Sequence, residues 1–220
     1  MMHLEFKNED EILNNIKSML GNTNLLYSRK GTKIREGISL DVFLTLLRLP
    51  FKPGDMFEFP LENCPSRADI KFRTGNFQIK NIPDDNCRIT QESKEIYERN
   101  KNITQVKDLN LLSPLKDCNS PKTVLGVIEE EINRLENKGK KPKYTLCEKK
   151  ELDLLIYITR KLTARMQSNI IPVYYRDFFK KAGYRSISFV LGDIQAMVLY
   201  AQNNAPDFIF QKKLHLFTEE

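Results

Sequence analysis

The sequence is short of histidine and of paired cysteine, and it has no long apolar run. Its two histidines, His3 and His215, stand near opposite ends of the 220-residue chain. That placement disfavours both a His-based metal centre and a His general base. The four cysteines, Cys64, Cys87, Cys118 and Cys147, lie about thirty residues apart with no CxxC pair, a spacing that suits neither a zinc site nor a disulfide scaffold. No stretch approaches the roughly 18 to 20 uninterrupted apolar residues of a membrane span. The opening MMHLEFKNEDEILNNI carries acids where a secretory leader needs a basic start and an apolar core. The expectation is a soluble, cytoplasmic protein with no membrane partner.

What is present is a basic, moderately charged chain that can still bury a core. Lys and Arg total 35 against 29 Asp and Glu, giving a net charge of +6, a balance compatible with a polyanionic partner. The length fits one domain over 1–220. Apolar periodicity predicts helices over Glu9–Leu20, stopped by Gly21, and over Arg35–Leu49, ended by Pro50 and Pro53. Three strand-like runs follow: Met56–Leu61, Ala68–Arg73 and Asn76–Ile82. Ser93–Lys101 and Thr123–Glu136 read as helices. Leu152–Thr159 (LDLLIYIT) is nearly continuously apolar and β-branched, as a strand covered on both faces requires. A C-terminal extension over 170–220 adds a helix, Val173–Lys181, and two strands, Ser186–Leu191 and Ile194–Ala201, joined at Gly192-Asp193. The fold class is α/β, also describable as α+β, with a central mixed sheet flanked by helices.

The hairpin from Arg67 to Ile82 holds the candidate chemistry. With Thr74-Gly75 as a two-residue loop, Lys71 lies across from Gln78 and Asp69 across from Lys80. Alternation then places Asp69, Lys71, Arg73, Asn76, Gln78 and Lys80 on one face, and Ile70, Phe72, Phe77 and Ile79 on the other. A solvated face carrying a cross-strand ion pair gives the same pattern. The alternative is a phosphodiesterase site. In it an acid and an amide oxygen hold a hard cation, and a lysine orients water and offsets charge on phosphorus.

These residues resemble the PD-(D/E)XK, or restriction-endonuclease-like, superfamily, whose signature is an acid on one strand and (D/E/Q)-x-K on the next. Here the match is Arg-Ala-Asp69, eight intervening residues, and Gln78-Ile79-Lys80. Glu36, opening EGISLDVFLTLL, corresponds to the family's helical glutamate. The resemblance implies a nuclease-like core over about 35–160, with Asp69, Gln78 and Glu36 as ligands of Mg²⁺ or Mn²⁺ and Lys80 as the catalytic lysine. It further implies a nucleic-acid substrate, DNA ahead of RNA, contacted by Lys71, Arg73, Lys140 and Lys141, and it is compatible with a homodimer. The sequence departs from the pattern at Ala68, where the family has Pro, and at Gln78, which supplies one fewer negative charge than Glu or Asp. Gly183–Ser188, Gln195–Ala201 and Ala205–Ile209 are also similar to a small family of uncharacterised bacterial proteins named as candidate endonucleases. A catalytically inactive nucleic-acid- or protein-binding module on the same fold is the alternative reading.

Four further groups have both a functional and a structural reading. Lys138, Lys140, Lys141 and Lys143 can grip phosphates or form a solvated loop. Tyr174, Tyr175, Phe178 and Phe179 can stack on bases or fill the core. Asp153 is either a further acid near the site or an edge or cap residue. Arg185 with Ser186 and Ser188 is a further potential phosphate contact.

Overall fold

The computed structural model describes residues 9–61, 67–83, 89–111, 122–137, 142–159, 163–166 and 171–213. Its contacts divide the chain into two compact units interleaved in sequence, one of 1–35 with 85–118 and the other of 36–84 with 119–220.

The first unit pairs α1 (Glu9–Tyr27) with α3 (Ile89–Asn100), followed by a short 3₁₀ turn, Val106–Asp108. Helix α1 runs straight through Gly21, contrary to the predicted stop. A glycine inside a helix costs only about 1 kcal/mol relative to Ala, and Gly21 packs against Tyr97, whose ring would lie 3.7 Å from an added Cβ. The stop falls instead at Ser28–Gly31, where Gly31 abuts the carbonyls of Leu25 and Leu26 too closely for any Cβ. Asn100 is fully buried and staples the end of α3 to the next segment, donating to the carbonyls of Ile96 and Asn110 and accepting from Asn110 N–H.

The second unit is built on a five-stranded mixed sheet in the order β1-β2-β4-β6-β7. Its strands are β1 (Ile70–Phe72), β2 (Gly75–Ile82), β4 (Asp153–Ile158), β6 (Ser186–Leu191) and β7 (Gln195–Ala201). The three central strands are parallel, and each outer pair is antiparallel. A separate two-stranded ladder joins β3 (Lys122–Thr123) to β5 (Thr163–Ala164). Met56–Leu61 forms only one bridge, Glu58 with Lys71, rather than the predicted strand.

Helix α2 (Thr32–Leu46) starts in the first unit and continues into the second. It ends in a Schellman motif: Arg48 takes a left-handed conformation (φ 53°), Arg48 N–H donates to Thr45 O, and Leu49 N–H donates to Leu44 O. Leu40, Phe43 and Leu44 of α2 pack with Ile70, Phe77, Ile79, Leu155 and Val198, together with Ile209 of the short helix α7 (Asp207–Phe210). The opposite face of the sheet is covered by α4 (Val124–Glu136) and α6 (Val173–Ala182). Val124, Val127, Ile128, Ile132 and Leu135 of α4 recur at helical spacing onto Leu154, Ile156, Ile187 and Phe189. Thr123 caps α4 by accepting from Gly126 N–H.

At the N-terminal end of β4 the buried Asp153 carboxylate accepts from Arg185 Nε at 3.1 Å, Ser186 Oγ at 2.8 Å and Asn76 N–H at 2.9 Å. Arg185 also reaches Thr74 O at 3.2 Å. One carboxylate thus ties the hairpin turn to the middle strands. Removing one member of a buried pair leaves the other uncompensated. Asp153→Ala is therefore expected to cost roughly 3 to 5 kcal/mol in urea unfolding. An Asp153→Leu/Arg185→Met double variant should lose clearly less than the two single losses combined.

Candidate functional site

The β1–β2 hairpin turns at Arg73-Thr74, not at Thr74-Gly75. The ladder pairs Phe72 with Gly75, Lys71 with Asn76 and Ile70 with Phe77. Gly75 is a strand residue because the Phe77 ring lies 2.6 Å from where its Cβ would stand, so only glycine fits beneath that ring. The left-handed position goes to Arg73 (φ 50°). Its guanidinium donates to Asp55 and to Pro50 O and lies over the Phe72 ring, 5.0 Å from its centroid. The Arg73 hydrogen bond holds the Asp55 carboxyl at about 2.

The register has slipped by two residues, which keeps the strand side chains on their expected faces while changing their partners. Arg73, now in the turn, instead leaves the Asp69 face for Asp55 and the Phe72 and Phe208 rings. Asp69 lies just past the last ladder pair, and its carboxylate replaces the missing backbone acceptor. Asp69 Oδ2 accepts from Ile79 N–H at 2.8 Å and from the Gln78 amide. Lys80 Nζ stands 4.0 Å from Asp69 Oδ2 and donates to Ile79 O at 2.9 Å. The face is not solvated, because the α4 stripe covers it: Gln78 is 3 % exposed, and the side chains of Lys80 and Asp69 are 12 % and 25 % exposed.

Burial dominates the electrostatics of this pair. It raises the Asp69 pKa above the usual carboxylate value, and the Lys80 ammonium only partly opposes the shift. It lowers Lys80 to about 8, against the pull of Asp69 and with help from the like charge of Lys143. Both shifts favour the neutral forms, so a 4.0 Å separation does not offset the loss of hydration.

Asp69, Gln78 and Lys80 are thus brought together. Glu36 is carried by α2, whose buried residues pack on the opposite face of the sheet, where Ser39 Oγ meets Asn81 Oδ1 at 3.3 Å. Lys71 is bridged through its backbone to Glu58. Lys138, Lys140 and Lys141 lie outside the described residues. Asp153 and Arg185 form the structural staple. Tyr174 is exposed and donates to Glu129, whereas Phe179 is core.

Two residues beside the site escape the sequence reading. Glu131 is the charged member of the apolar α4 stripe, is buried, and acts on Lys80. Helical spacing from Val127 and Ile128 could have exposed it. Tyr144, 4 % exposed, feels the Asp69 charge directly, but no local pattern signals it. Among the described residues no group of three or more His, Cys, Asp or Glu is placed to hold a metal ion.

The fold and site define a mixed α/β protein with a half-buried carboxylate–lysine pair on a sheet hairpin. The chain belongs to the family described as "Putative endonuclease, protein of unknown function (DUF1780)", whose profile matches residues 8–218. A solved structure from Pseudomonas aeruginosa strain PAO1, described as a protein of unknown function of the monooxygenase superfamily, aligns with a TM-score of 0.51 at 19 % identity over 94 % of each chain. At that identity the likeness shows the fold alone. No curated protein matches the chain. No helix among the described residues is long and apolar enough to cross a membrane.

The Lys80 shift has a defined sign. Between about 8 and the ordinary lysine value of 10.5, the unfolded chain binds the proton and the folded chain does not. The Lys80 contribution therefore makes stability rise with pH across that window. Urea midpoints from pH 7.5 to 10.5 should show this rise, and Lys80→Met should lack it.

Proposed function

We propose that the protein is a metal-dependent nuclease of restriction-endonuclease-like fold that hydrolyses phosphodiester bonds, in DNA ahead of RNA, at the Asp69–Gln78–Lys80 cluster. The supporting observation is the half-buried Asp69–Lys80 pair at 4.0 Å, with Gln78 bonded to the same carboxylate oxygen. The family description and the element order support the reading. A helix, a bridged segment and two hairpin strands follow one another from α2 to β2, and a long crossover containing α3, β3, α4 and α5 (Leu146–Lys149) leads to the parallel β4.

The donor set fits a small hard cation. Mg²⁺ commonly takes one or two carboxylates together with substrate phosphate and water, not an all-protein cage. Asp69 would supply the carboxylate and Gln78 an amide oxygen. Glu36 stands on α2, across the sheet from this cluster, and does not belong to the donor set. A bound Mg²⁺ or Mn²⁺ would polarise the phosphate and lower the pKa of water. The residues themselves do the remaining work. Ile79 N–H and Gln78 fix the carboxylate of Asp69. Lys80, protonated below about 8, offsets the negative charge that grows on phosphorus as the water oxygen bonds to it and the ester P–O bond breaks. The water's proton leaves to solvent or base, and the leaving alkoxide gains one.

A non-catalytic nucleic-acid-binding module is the second reading. It is favoured by the engagement of Glu131 with Arg134 through two 2.7 Å bonds, which leaves Asp69 the less engaged of the two carboxylates that act on Lys80.

Cleavage of single- and double-stranded DNA and RNA with Mg²⁺ or Mn²⁺ decides between these readings. Asp69→Ala and Lys80→Ala are each expected to lower turnover by at least about 100-fold. The rate should fall above about pH 8, as Lys80 loses its proton, and again in acid, as the raised Asp69 carboxyl gains one. Cleavage unchanged in both variants defeats the assignment, and salt-dependent binding without turnover favours the second reading.

A further inference from the structure

Tyr144 sits between two fixed points of backbone. One residue before it, Lys143 N–H donates to Leu135 O at 2.9 Å, which anchors the segment to the last turn of α4. One residue after it, Thr145 opens the short helix α5 (Leu146–Lys149) with a reciprocal capping box to Glu148. The Tyr184 ring packs edge-on against Tyr144 at 6.3 Å, and Lys143 Nζ stands 5.1 Å from the Tyr144 ring centroid. The side chain is thus held in place by packing and by its neighbours.

Its hydroxyl, although buried, has no hydrogen-bond partner among the described residues. An unmet buried polar group costs about 1 to 3 kcal/mol, so it calls for an explanation. The nearby carboxylates already accept from other donors, Glu131 and Glu148 with both oxygens and Asp69 with Oδ2. Their donors are Arg134 for Glu131, Arg67 and Thr145 for Glu148, and Gln78 and Ile79 N–H for Asp69. Burial, reinforced by the Asp69 charge, raises the hydroxyl's pKa, so it keeps its proton at neutral pH. With its proton in place, the hydroxyl can donate to an acceptor brought to it. That acceptor would lie beside the cations of Lys80 and Lys143, both of which act on Asp69, and of Arg67, which acts on the tyrosine. A phosphoryl oxygen accepts and never donates, and it carries the charge those cations attract.

We propose that Tyr144 is a substrate-contacting residue of this site, its hydroxyl donating to a non-bridging oxygen of a phosphate group. The assignment rests on the nuclease reading for its place in a reaction, but not for the binding itself. Lys143, at the exposed side of the tyrosine, supplies longer-range attraction.

The test uses inorganic phosphate, titrated at constant ionic strength in Mg²⁺ buffer against wild type, Tyr144→Phe and Tyr184→Phe. Tyr184 is the matched control, since its hydroxyl is also buried and unpartnered but its ring is fully enclosed. Each variant loses one unsatisfied hydroxyl, and thermal melts should show both folded at wild-type stability or slightly above. Tyr144→Phe should bind phosphate about tenfold more weakly, as for one hydrogen bond to a charged group, and Tyr184→Phe as wild type does. Phosphate binding that is absent in wild type, unchanged in Tyr144→Phe, or weakened equally by both substitutions overturns the proposal. Failure of wild type to cleave any nucleic acid overturns the nuclease reading and leaves the phosphate result to decide Tyr144 separately.

Discussion

The Asp153 carboxylate is the point on which the second unit is registered. It is buried at the start of β4 and gathers Arg185 and Ser186 from the β6 side and the Asn76 amide from β2, while Arg185 continues to the Thr74 carbonyl. Three strands and the hairpin turn are therefore indexed against one charged group in a low-dielectric setting. A different register would leave a buried charge short of donors, which costs several kcal/mol. The placement of Gly75 under Phe77 and of Arg73 in a left-handed turn agrees with that register. Every residue of β2 then falls where it is observed, with Gln78 and Lys80 beneath α4 and Phe77 and Ile79 against α2.

Register and cover together make the site what it is. A hairpin open to water would hold Asp69 and Lys80 as an ordinary exposed ion pair worth little. Beneath the α4 stripe the same two groups are pushed toward neutrality, with Lys80 brought down to about 8. Groups destabilised in this way are more useful for chemistry than for stability. The unpartnered Tyr144 hydroxyl and the buried Glu131 belong to the same polar interruption of an otherwise apolar layer. The face carries a cost in folding that an apolar face would not, which is the usual mark of a place kept for binding or reaction.

Much of the architecture could be read from the sequence because it is encoded in local periodicity. The apolar run of β4, the amphipathic spacing of α4 and α6, the β6–β7 hairpin with its left-handed Gly192, and the alternation that puts Asp69, Gln78 and Lys80 on one face are all local patterns. The mixed α/β class follows from their order. Local rules misjudged three places. They make Gly21 a stop and Gly75 a turn residue, but a helix and a strand pass through them, with Tyr97 and Phe77 lying where a side chain would stand. Met56–Leu61 has a strand's composition but finds a partner at a single bridge.

The sequence by itself determined which side chains share a face, since a strand's two-residue period survives any even slip in register. It also determined the composition of the Asp69–Gln78–Lys80 cluster. Tertiary structure decided the actual partners, the burial and the company of that cluster. It moved the turn by one residue and thereby the pairing by two. It set Glu36 on a helix of the opposite face and brought Glu131 and Tyr144, distant in sequence, to the Asp69–Lys80 pair. Desolvation is a property of what covers a group, and the helix that covers this one begins more than forty residues after Lys80.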